Sequence, residues 1–422
     1  MKNYLFIIST LVCLLSCNKE SEILVVNETT SSQIIKPFMV GSENACKIAE
    51  DYINLLGMDN RSNSRKIRSI QHVSNSKTAR VASGIESNGV YVINYENNSG
   101  FAVVSADTRD SVAVYLMSEV GNIIYDTDNT LSPIFYIRSL IEDYQQEIVN
   151  NSVMARDPSA DYQWETETNI IEKKGAFLET RWRQRYPYNI YLQDRFGDNY
   201  SDKTMGCAPV AISQIMAYYQ YPKQYNNGSE ITLFDWNGIG KVKEGVSHTL
   251  SDIYAVSSFI YNVGLSAEAN YHDLTTNATP VFSYKVPIAF RRMGYSCSNL
   301  TNYNYSLLKS ELYSARPVFM RGTSSDSSSG HAWVVDGYTE IEEVTTVTDE
   351  NGNIVESTIT EEFSNVKTYH YIHINTGWGD TLNNTMYYHY ETAVDDIVWT
   401  NSVIFSTYSE NQLIVTGITP GI

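Results

Sequence analysis

Residues 204–222, TMGCAPVAISQIMAYYQYP, predict a helix that the folded chain has to bury. Apolar side chains recur along one side of this helix, at Val210, Ile212, Ile215, Met216 and Tyr219. Pro209 fits the first turn, where a missing N–H costs no hydrogen bond. Cys207 therefore stands at a helix N-terminus, where free N–H groups and the helix dipole favour a thiolate, the nucleophilic form. The structural alternative is a small buried cysteine at the start of a core helix.

The composition indicates a folded chain that does not bind nucleic acid. Of the 422 residues, 42% are hydrophobic and 18% are charged, which is typical of globular proteins. The net charge of −18 and the lack of a basic cluster argue against a phosphate-binding surface. The length suffices for two or three domains.

The N-terminus predicts export. Lys2 precedes an apolar segment, Tyr4 to Leu15, that is too short to span a bilayer and fits a signal peptide over residues 1–16. The sequence LLSC before and at Cys17 resembles the lipobox of bacterial lipoproteins, which implies lipidation of Cys17 and a tether over 17–41. The alternative is an ordinary signal peptide with an incidental cysteine. We expect a lipoprotein of the bacterial outer membrane or cell surface, attached to the membrane only through this lipid.

The cysteines form neither a disulfide framework nor a metal site. There are five, at Cys13, Cys17, Cys46, Cys207 and Cys297, and no pair has the spacing of metal ligands. We therefore expect no metal and no cofactor. An unpaired thiol in an exported protein suggests a thiol that is used. We expect Cys46 and Cys297 to be buried and inert.

Two folded regions are expected on either side of a linker. Residues 42–150 combine helical patterns, at 42–57 and 132–149, with strands in GVYVINY, FAVVSAD and SVAVYLM, and form a small α+β domain. Ser42 is the expected N-cap of the first helix. Residues 151–175 are polar without sustained periodicity and predict a linker that a protease could reach. Residues 176–422 contain the candidate chemistry.

A general base and its orienting group follow in two strands. His331 stands where the Ser/Gly-rich loop before it meets the apolar strand HAWVVDGY. Residues 368–375, TYHYIHIN, alternate strictly, with Asn375 at the end. If the two strands pair, the Asn375 amide could hold the His331 ring in the useful tautomer. His373 is the rival base, but it lies inside the strand.

Three further residues complete the candidate site. Gln184, in TRWRQRYPYN, offers an amide donor for an oxyanion, together with the Cys207 backbone N–H. Trp378, in the turn after Asn375, is either a lid over the pair or a core aromatic. Gly330 has no side chain, so a peptide could approach the backbone there.

Four stretches together, WRQRYPYN, GCAPVAISQIMAYYQYP, RPVFMRG…GHAWVVDGY and HINTGWGD, resemble the streptopain family of cysteine peptidases. VYVINYENNSGFAVVSADTRD is similar to the family's propeptide, which folds on the catalytic domain and inhibits it. The resemblance implies an α+β fold, in which a papain-like catalytic domain follows the small pro-domain. It also implies Cys207 as nucleophile, His331 as base and acid, Asn375 as orienter, Gln184 as oxyanion donor and Gly330 in the substrate cleft.

The sequence departs from the family pattern in two places. Thr376 replaces the tryptophan that often follows the orienting asparagine. The loop ANYHDLTTNATP, which contains Asn277, is less rich in glycine than the family's loop beside the substrate cleft. Residues 339–367 are also long for a connection, and Asn351-Gly352 predicts a protruding β-hairpin.

The sequence thus predicts a secreted cysteine endopeptidase made as a zymogen. Its expected partners are protein or peptide substrates and its own pro-domain as inhibitor. Two alternatives are a non-catalytic surface lipoprotein with many tyrosines on a peptidase-like fold, and a cell-wall amidase. Amidases of this kind usually have the cysteine and histidine closer in sequence and lack a folded pro-domain.

Overall fold

The structure is a computed structural model, and the residues it describes fall into ranges separated by gaps. These are 39–56, 65–74, 89–107, 112–118, 121–123, 163–242, 248–323, 330–348, 366–377, 385–390 and 410–421. The signal peptide, Cys17 and its tether, the helix expected at 132–149, Trp378 and the Asn351-Gly352 turn lie outside them.

The described ranges contain one α-helix in the N-terminal region, called the pro-domain after the resemblance above, and six in the C-terminal region, called the catalytic domain in the same way. They are α1 Ser42–Leu55, α2 Ile190–Phe196, α3 Cys207–Tyr219, α4 Trp236–Lys241, α5 Leu250–Ser266, α6 Lys285–Arg292 and α7 Tyr305–Tyr313. No helix in these ranges combines the length and apolar character that crossing a bilayer requires.

The strands of the first half of the chain are β1 Ile67–Val73, β2 Val90–Tyr95, β3 Phe101–Ser105, β4 Val114–Ser118, β5 Gln163–Lys174, β6 Gln224–Asn226 and β7 Ile231–Leu233. Those of the second half are β8 Tyr295–Ser296, β9 Thr301–Asn302, β10 Val318–Thr323, β11 Gly330–Thr348, β12 Val366–Asn375, β13 Thr385–Tyr390, β14 Glu410–Val415 and β15 Thr419–Pro420. The α+β class expected from the sequence is confirmed.

One antiparallel sheet runs through both domains. Its strand order is β1-β2-β3-β4-β13-β12-β11-β10-β14-β9, and β5 pairs with β11 beside this path. The pro-domain joins the catalytic domain where β4 pairs with β13, with Met117 opposite Tyr387. The Tyr371 hydroxyl of β12 also donates to the Val114 carbonyl of β4 at 2.9 Å.

The pro-domain elements match the sequence patterns closely. Helix α1 buries Ala45, Ala49 and Tyr52 on one face, as the periodicity predicts. Its N-cap is Gly41, however, and no side chain caps it, so the expected cap at Ser42 is wrong by one position. The Tyr52 ring meets Tyr371 edge-on at 5.9 Å, which packs α1 against the catalytic sheet.

The expectation of an irregular linker over 151–175 is wrong for its second half. Residues 163–174 form β5, which pairs along β11 from Lys174 opposite Tyr338 to Gln163 opposite Thr348. A tertiary partner decides this strand, because β propensity depends on the surface that a segment can pair with. The ammonium of Lys174 lies 4.7 Å from the ring centre of Tyr313, and Lys173 donates to the Leu56 carbonyl.

The first arm of the expected hairpin is present as the end of β11, and its second arm, residues 353–360, lies outside the described residues. The pairing of β11 with β12 extends to Val344 opposite Val366. The β11 arm has β5 as its other neighbour, so it is the middle strand of three and not half of an isolated hairpin.

The catalytic sheet has an apolar layer on each face. On β10 and β11, Met320, Trp333 and Val335 join the core that contains α1 and the pro-domain strands. Phe319, Ala332 and Val334 join the core that contains α3, α5 and α6. Successive residues of a strand point to opposite faces, so this division assigns a face to every residue of the strand end near Cys207.

Candidate active site

Cys207 is the first residue of α3, as the sequence predicts. Gly206 before it has φ +89°, and a Cβ at this position would lie 2.5 Å from the Thr279 carbonyl oxygen. The hydroxyl of Thr279 donates to the Thr204 carbonyl at 2.6 Å, and the Thr204 N–H donates to the Asn277 carbonyl at 2.9 Å. Only glycine fits position 206. The two hydrogen bonds attach the loop that carries Asn277 to the segment just before Cys207.

The Cys207 thiol is surrounded by backbone donors but is not ionised in this form. Burial raises the pKa of the thiol and is the largest influence on it. The backbone N–H groups of Ala332, Ala208 and Cys207 oppose this, as does the nearby Arg321 charge. The expectation that the helix start lowers this pKa is therefore not met, because burial outweighs the donors.

The thiol lies against the residue that follows His331, since the Ala332 N–H is one of its donors. His331 itself is 5% exposed, and its Nε2–H donates to the Thr376 carbonyl at 2.9 Å. The ring stacks on Trp333, with 6.2 Å between ring centres. Burial lowers the pKa of His331 to about 4, although the Thr376 carbonyl favours the charged ring. Both the thiol and the imidazole are therefore neutral at pH 7.

Strands β11 and β12 pair as expected, but Asn375 does not hold the His331 ring. Asn375 lies opposite Val334, on the face that carries α3. Its amide exchanges two hydrogen bonds with the Gln214 amide, both at 3.0 Å, and donates to the Thr180 carbonyl at 2.6 Å. The register thus directs Asn375 towards α3, and the backbone carbonyl of Thr376 takes the ring instead.

The remaining predicted residues lie around the same strand and helix ends. The Gln184 carbonyl accepts the Met205 N–H at 2.9 Å. The Gln184 backbone therefore lies beside Met205, two residues before Cys207. Gly330 is exposed at the start of β11, and Asn277 is exposed in its loop. Trp378 falls outside the described residues, so its role stays a prediction.

Three side chains near the site were not predicted from the sequence: two hold the backbone around it, and the third is a cation near the thiol. Gln214 of α3 joins Asn375 to the Trp182 N–H, which donates to Gln214 Oε1 at 3.2 Å. Lys203 is 1% exposed, and its ammonium donates to the carbonyls of Asp273, Thr276 and Ala278, at 2.5, 3.0 and 2.8 Å. Arg321 is the third. An arginine in the apolar strand PVFMRG was the available signal for it.

The rival histidine is a buried structural residue. His373 is 1% exposed, and its Nδ1 lies 2.5 Å from Oδ1 of Asp336. The other oxygen of Asp336 accepts the Leu178 N–H at 2.8 Å. This pair links β11, β12 and the segment after β5.

Among the described ranges, no group of three His, Cys, Asp or Glu side chains could hold a metal ion. Cys46, Cys207 and Cys297 are free thiols. Cys46 and Cys297 are only partly buried, so the expectation of burial is wrong for both, and burial raises the pKa of each thiol. That the two thiols are inert stays a prediction.

Comparisons with known proteins agree with this division of the chain. The model of the peptidase C10 family matches residues 182–388, and the model of the Spi protease inhibitor matches residues 37–148. Thiol protease/hemagglutinin PrtT of Porphyromonas gingivalis is 25% identical over 284 residues, which are 59% of this chain and 31% of that protein. This chain therefore spans about a third of that relative's length. Streptopain of Streptococcus pyogenes is 23% identical over 60% of this chain and 69% of its own.

A prointerpain A fragment of Prevotella intermedia has a similar structure, with a TM-score of 0.47 and 18% identity over 84% of this chain and all of that fragment. The structure of active interpain A from the same organism covers 62% of this chain, with a TM-score of 0.38. The matched family model spans the cysteine at the start of α3, the histidine of β11 and the asparagine of β12, and residues 182–388 of the chain form a peptidase C10 family domain.

Proposed function

We propose that this protein is a cysteine endopeptidase made as a zymogen, and that it hydrolyses peptide bonds in proteins. The observation that carries the proposal is the position of the Cys207 thiol. It lies at the start of a buried helix, among three backbone N–H groups, beside the residue that follows His331. These are the donors that acyl transfer requires beside its nucleophile, and His331, the residue before Ala332 in β11, is the proposed base.

Each step then has an available group. The Cys207 thiol gives its proton to the His331 imidazole, and the resulting thiolate attacks the carbonyl carbon of the scissile peptide bond. The oxyanion forms beside the Cys207 N–H and the Gln184 amide. The imidazolium gives its proton to the leaving amine, which departs and leaves a thioester. Water then attacks the thioester with His331 as base, and the acid product and the thiol are restored.

The orienting role belongs to the Thr376 carbonyl in this scheme. It accepts the Nε2–H of His331, which leaves Nδ1 as the nitrogen that exchanges the proton. Asn375 acts on the scaffold instead, because its amide pair with Gln214 fixes β12 to α3.

The described form is suited to latency. A thiol with a raised pKa and an imidazole with a pKa of about 4 do not form an ion pair near pH 7. We propose that cleavage between the domains and loss of the pro-domain let His331 become more exposed, so that its pKa rises towards 6.5. Since β5 is paired and both of its lysines are engaged, we place the cut within 151–162.

A thiol-directed epoxide inhibitor tests the enzyme directly. The processed, reduced protein should cleave casein and take up one inhibitor molecule, and Cys207→Ala should lose both properties. Cys297→Ala, which removes a partly buried thiol elsewhere, is the matched control and should retain both. A processed protein that leaves casein uncut and Cys207 unlabelled would leave the non-catalytic surface protein as the better explanation. Turnover of peptidoglycan but not casein would favour the amidase.

The pH profile of the processed enzyme tests the paired mechanism. We expect a bell-shaped plot of kcat/KM against pH. Activity rises on the acid limb as the thiol loses its proton and the imidazolium–thiolate pair forms, and it falls on the alkaline limb as the imidazolium loses its proton. An acid limb without an alkaline fall would contradict the pair.

We also propose that the chain is exported and held at the membrane by lipid on Cys17. The support is the sequence LLSC after a signal-like segment. Cells given a clickable fatty acid should label the wild-type protein but not Cys17→Ala. Equal labelling of both would refute this anchor.

A further inference from the structure

The guanidinium of Arg321 lies on the nucleophile's side of the sheet. In β10, Phe319 faces the α3 core and Met320 faces the opposite core, so Arg321 returns to the α3 face. Its partner across the strand pair is Ala332, whose N–H reaches the Cys207 sulfur. The charge of Arg321 acts to lower the pKa of Cys207, and Cys207 acts to raise the pKa of Arg321. These observations place a cation beside the scissile bond of a bound peptide.

The space that Arg321 occupies depends on a glycine of the cleft. Thr323 of β10 pairs with Gly330 of β11. A Cβ on Gly330 would lie 2.9 Å from Nη2 of Arg321, so the guanidinium fills the place where a side chain would project. Gly330 is exposed, and the guanidinium therefore borders the open end of the strand pair.

Arg321 is half-buried, yet within the described ranges its guanidinium has neither a carboxylate partner nor a hydrogen bond. Other partly buried cations of the catalytic domain have hydrogen-bonded partners. Arg316 bonds Glu311 at 2.7 Å, Arg292 bonds Glu268 at 2.7 Å, Lys309 bonds Glu340 at 2.6 Å and Lys203 bonds three carbonyls. A partly desolvated charge without a partner is costly, and an anion that arrives with a ligand removes that cost. Guanidinium groups bind carboxylates through two parallel hydrogen bonds.

We propose that Arg321 is a specificity residue that binds a carboxylate of the peptide substrate next to the scissile bond. This rests on the peptidase function proposed above and names a substrate class for it. The carboxylate comes either from an Asp or Glu side chain or from the C-terminus of a short peptide. An occupied site would hold the substrate in register and supply the counter-ion that Arg321 does not have among the described residues.

Pairs of peptides with blocked termini test whether the carboxylate comes from a substrate side chain. Each pair differs only by Glu against Gln at one position, scanned over the three residues on either side of the cut. With the processed wild-type enzyme, kcat/KM should favour Glu by about 10- to 100-fold at one position, the usual range for a hydrogen-bonded charge. Arg321→Gln should bring this ratio close to one, and Arg321→Lys should retain part of it because Lys keeps the charge without the fork. Arg292→Gln, an arginine that has its own carboxylate, should leave the ratio unchanged.

A second series separates the two sources, with peptides that end one or two residues after the cut as a free acid or as an amide. A preference for the acid that disappears in Arg321→Gln assigns the site to the chain terminus, and a Glu preference assigns it to side chains. Wild-type ratios near one in both series, or a preference that survives in Arg321→Gln, would overturn the subsite.

One more measurement distinguishes the subsite from an electrostatic effect on the nucleophile. The pH dependence of Cys207 alkylation reports the thiol pKa in wild type and Arg321→Gln. If the substitution shifts only this profile and no Glu/Gln ratio, Arg321 tunes the thiol and the subsite proposal is overturned. A wild-type enzyme that cleaves no peptide of either series, neutral ones included, would instead refute the peptidase function on which the subsite rests.

Discussion

Burial of a neutral His331 should make the full-length protein less stable in acid. The folded-state pKa of about 4 lies below the ordinary value of 6.5. A lowered folded pKa means that the unfolded chain binds the proton first as the pH falls. The contribution of His331 is therefore complete above about pH 6.5 and is lost progressively towards pH 4.

The size of the effect follows from the two pKa values. The full difference corresponds to about 3 kcal/mol of unfolding free energy. By the same linkage, about 1.4 kcal/mol is lost at pH 5.5 and about 2.5 kcal/mol at pH 4.5. Losses of this size are large beside the 5–15 kcal/mol that usually separates folded from unfolded protein.

Urea unfolding of the full-length Cys207→Ala protein, which lacks the proposed nucleophile, gives the free energy of unfolding at pH 7.5, 5.5 and 4.5. Adding His331→Gln removes the titrating group but keeps an amide donor for the Thr376 carbonyl. We expect this variant to lose about 2.5 kcal/mol less than its parent between pH 7.5 and 4.5. His72→Gln, at an exposed position of β1, is the control and should follow the parent. Parallel losses in the parent and in His331→Gln would refute the buried, neutral imidazole.

Three substitutions test the scaffold of the site. Those at Lys203 and Gln214 are measured by urea unfolding in the Cys207→Ala background, and the one at Gly206 is measured by epoxide labelling of a protein that keeps Cys207. Lys203→Met leaves three loop carbonyls without a donor and should cost about 3 kcal/mol in urea unfolding, and a loss no larger than that of the exposed Lys223→Met would contradict this. Gly206→Ala should slow labelling of Cys207 at least 10-fold, because the backbone at φ +89° and the Thr279 carbonyl both exclude a Cβ, and an unchanged rate would argue against this geometry. Gln214→Leu should cost about 2–3 kcal/mol, and a double-mutant cycle with Asn375→Leu should show coupling above about 1 kcal/mol, whereas additive losses would exclude the amide pair.

The sequence was sufficient for the elements whose pattern is local. The helix at Cys207 follows from Gly206, Pro209 and the apolar positions after them. Pairing of β11 with β12 follows from two alternating strands close in the chain. The places of Cys207, His331 and Asn375 in the fold could be predicted because each stands at or next to the end of a helix or strand.

Contacts that depend on tertiary partners could not be read in this way. β5 is a polar segment whose pairing is decided by the long β11 beside it. The acceptor of the His331 ring is a backbone carbonyl, and every residue has one, so no residue type marks it. The direction of the Asn375 amide was missed because one step of strand register moves a side chain to the other face.

The pairing of β4 with β13 keeps the two domains together even after the chain between them is cut. The two fragments still share main-chain hydrogen bonds and an apolar layer. If the chain matures as proposed, separation of the fragments is a dissociation step with its own off-rate, and the cut alone does not release the peptidase domain. When the smaller fragment departs, β13 loses the neighbour it has in the described sheet and exposes a row of unsatisfied backbone groups. The vacated strand edge then offers any extended segment a template, and the departed fragment competes with all others to return to it.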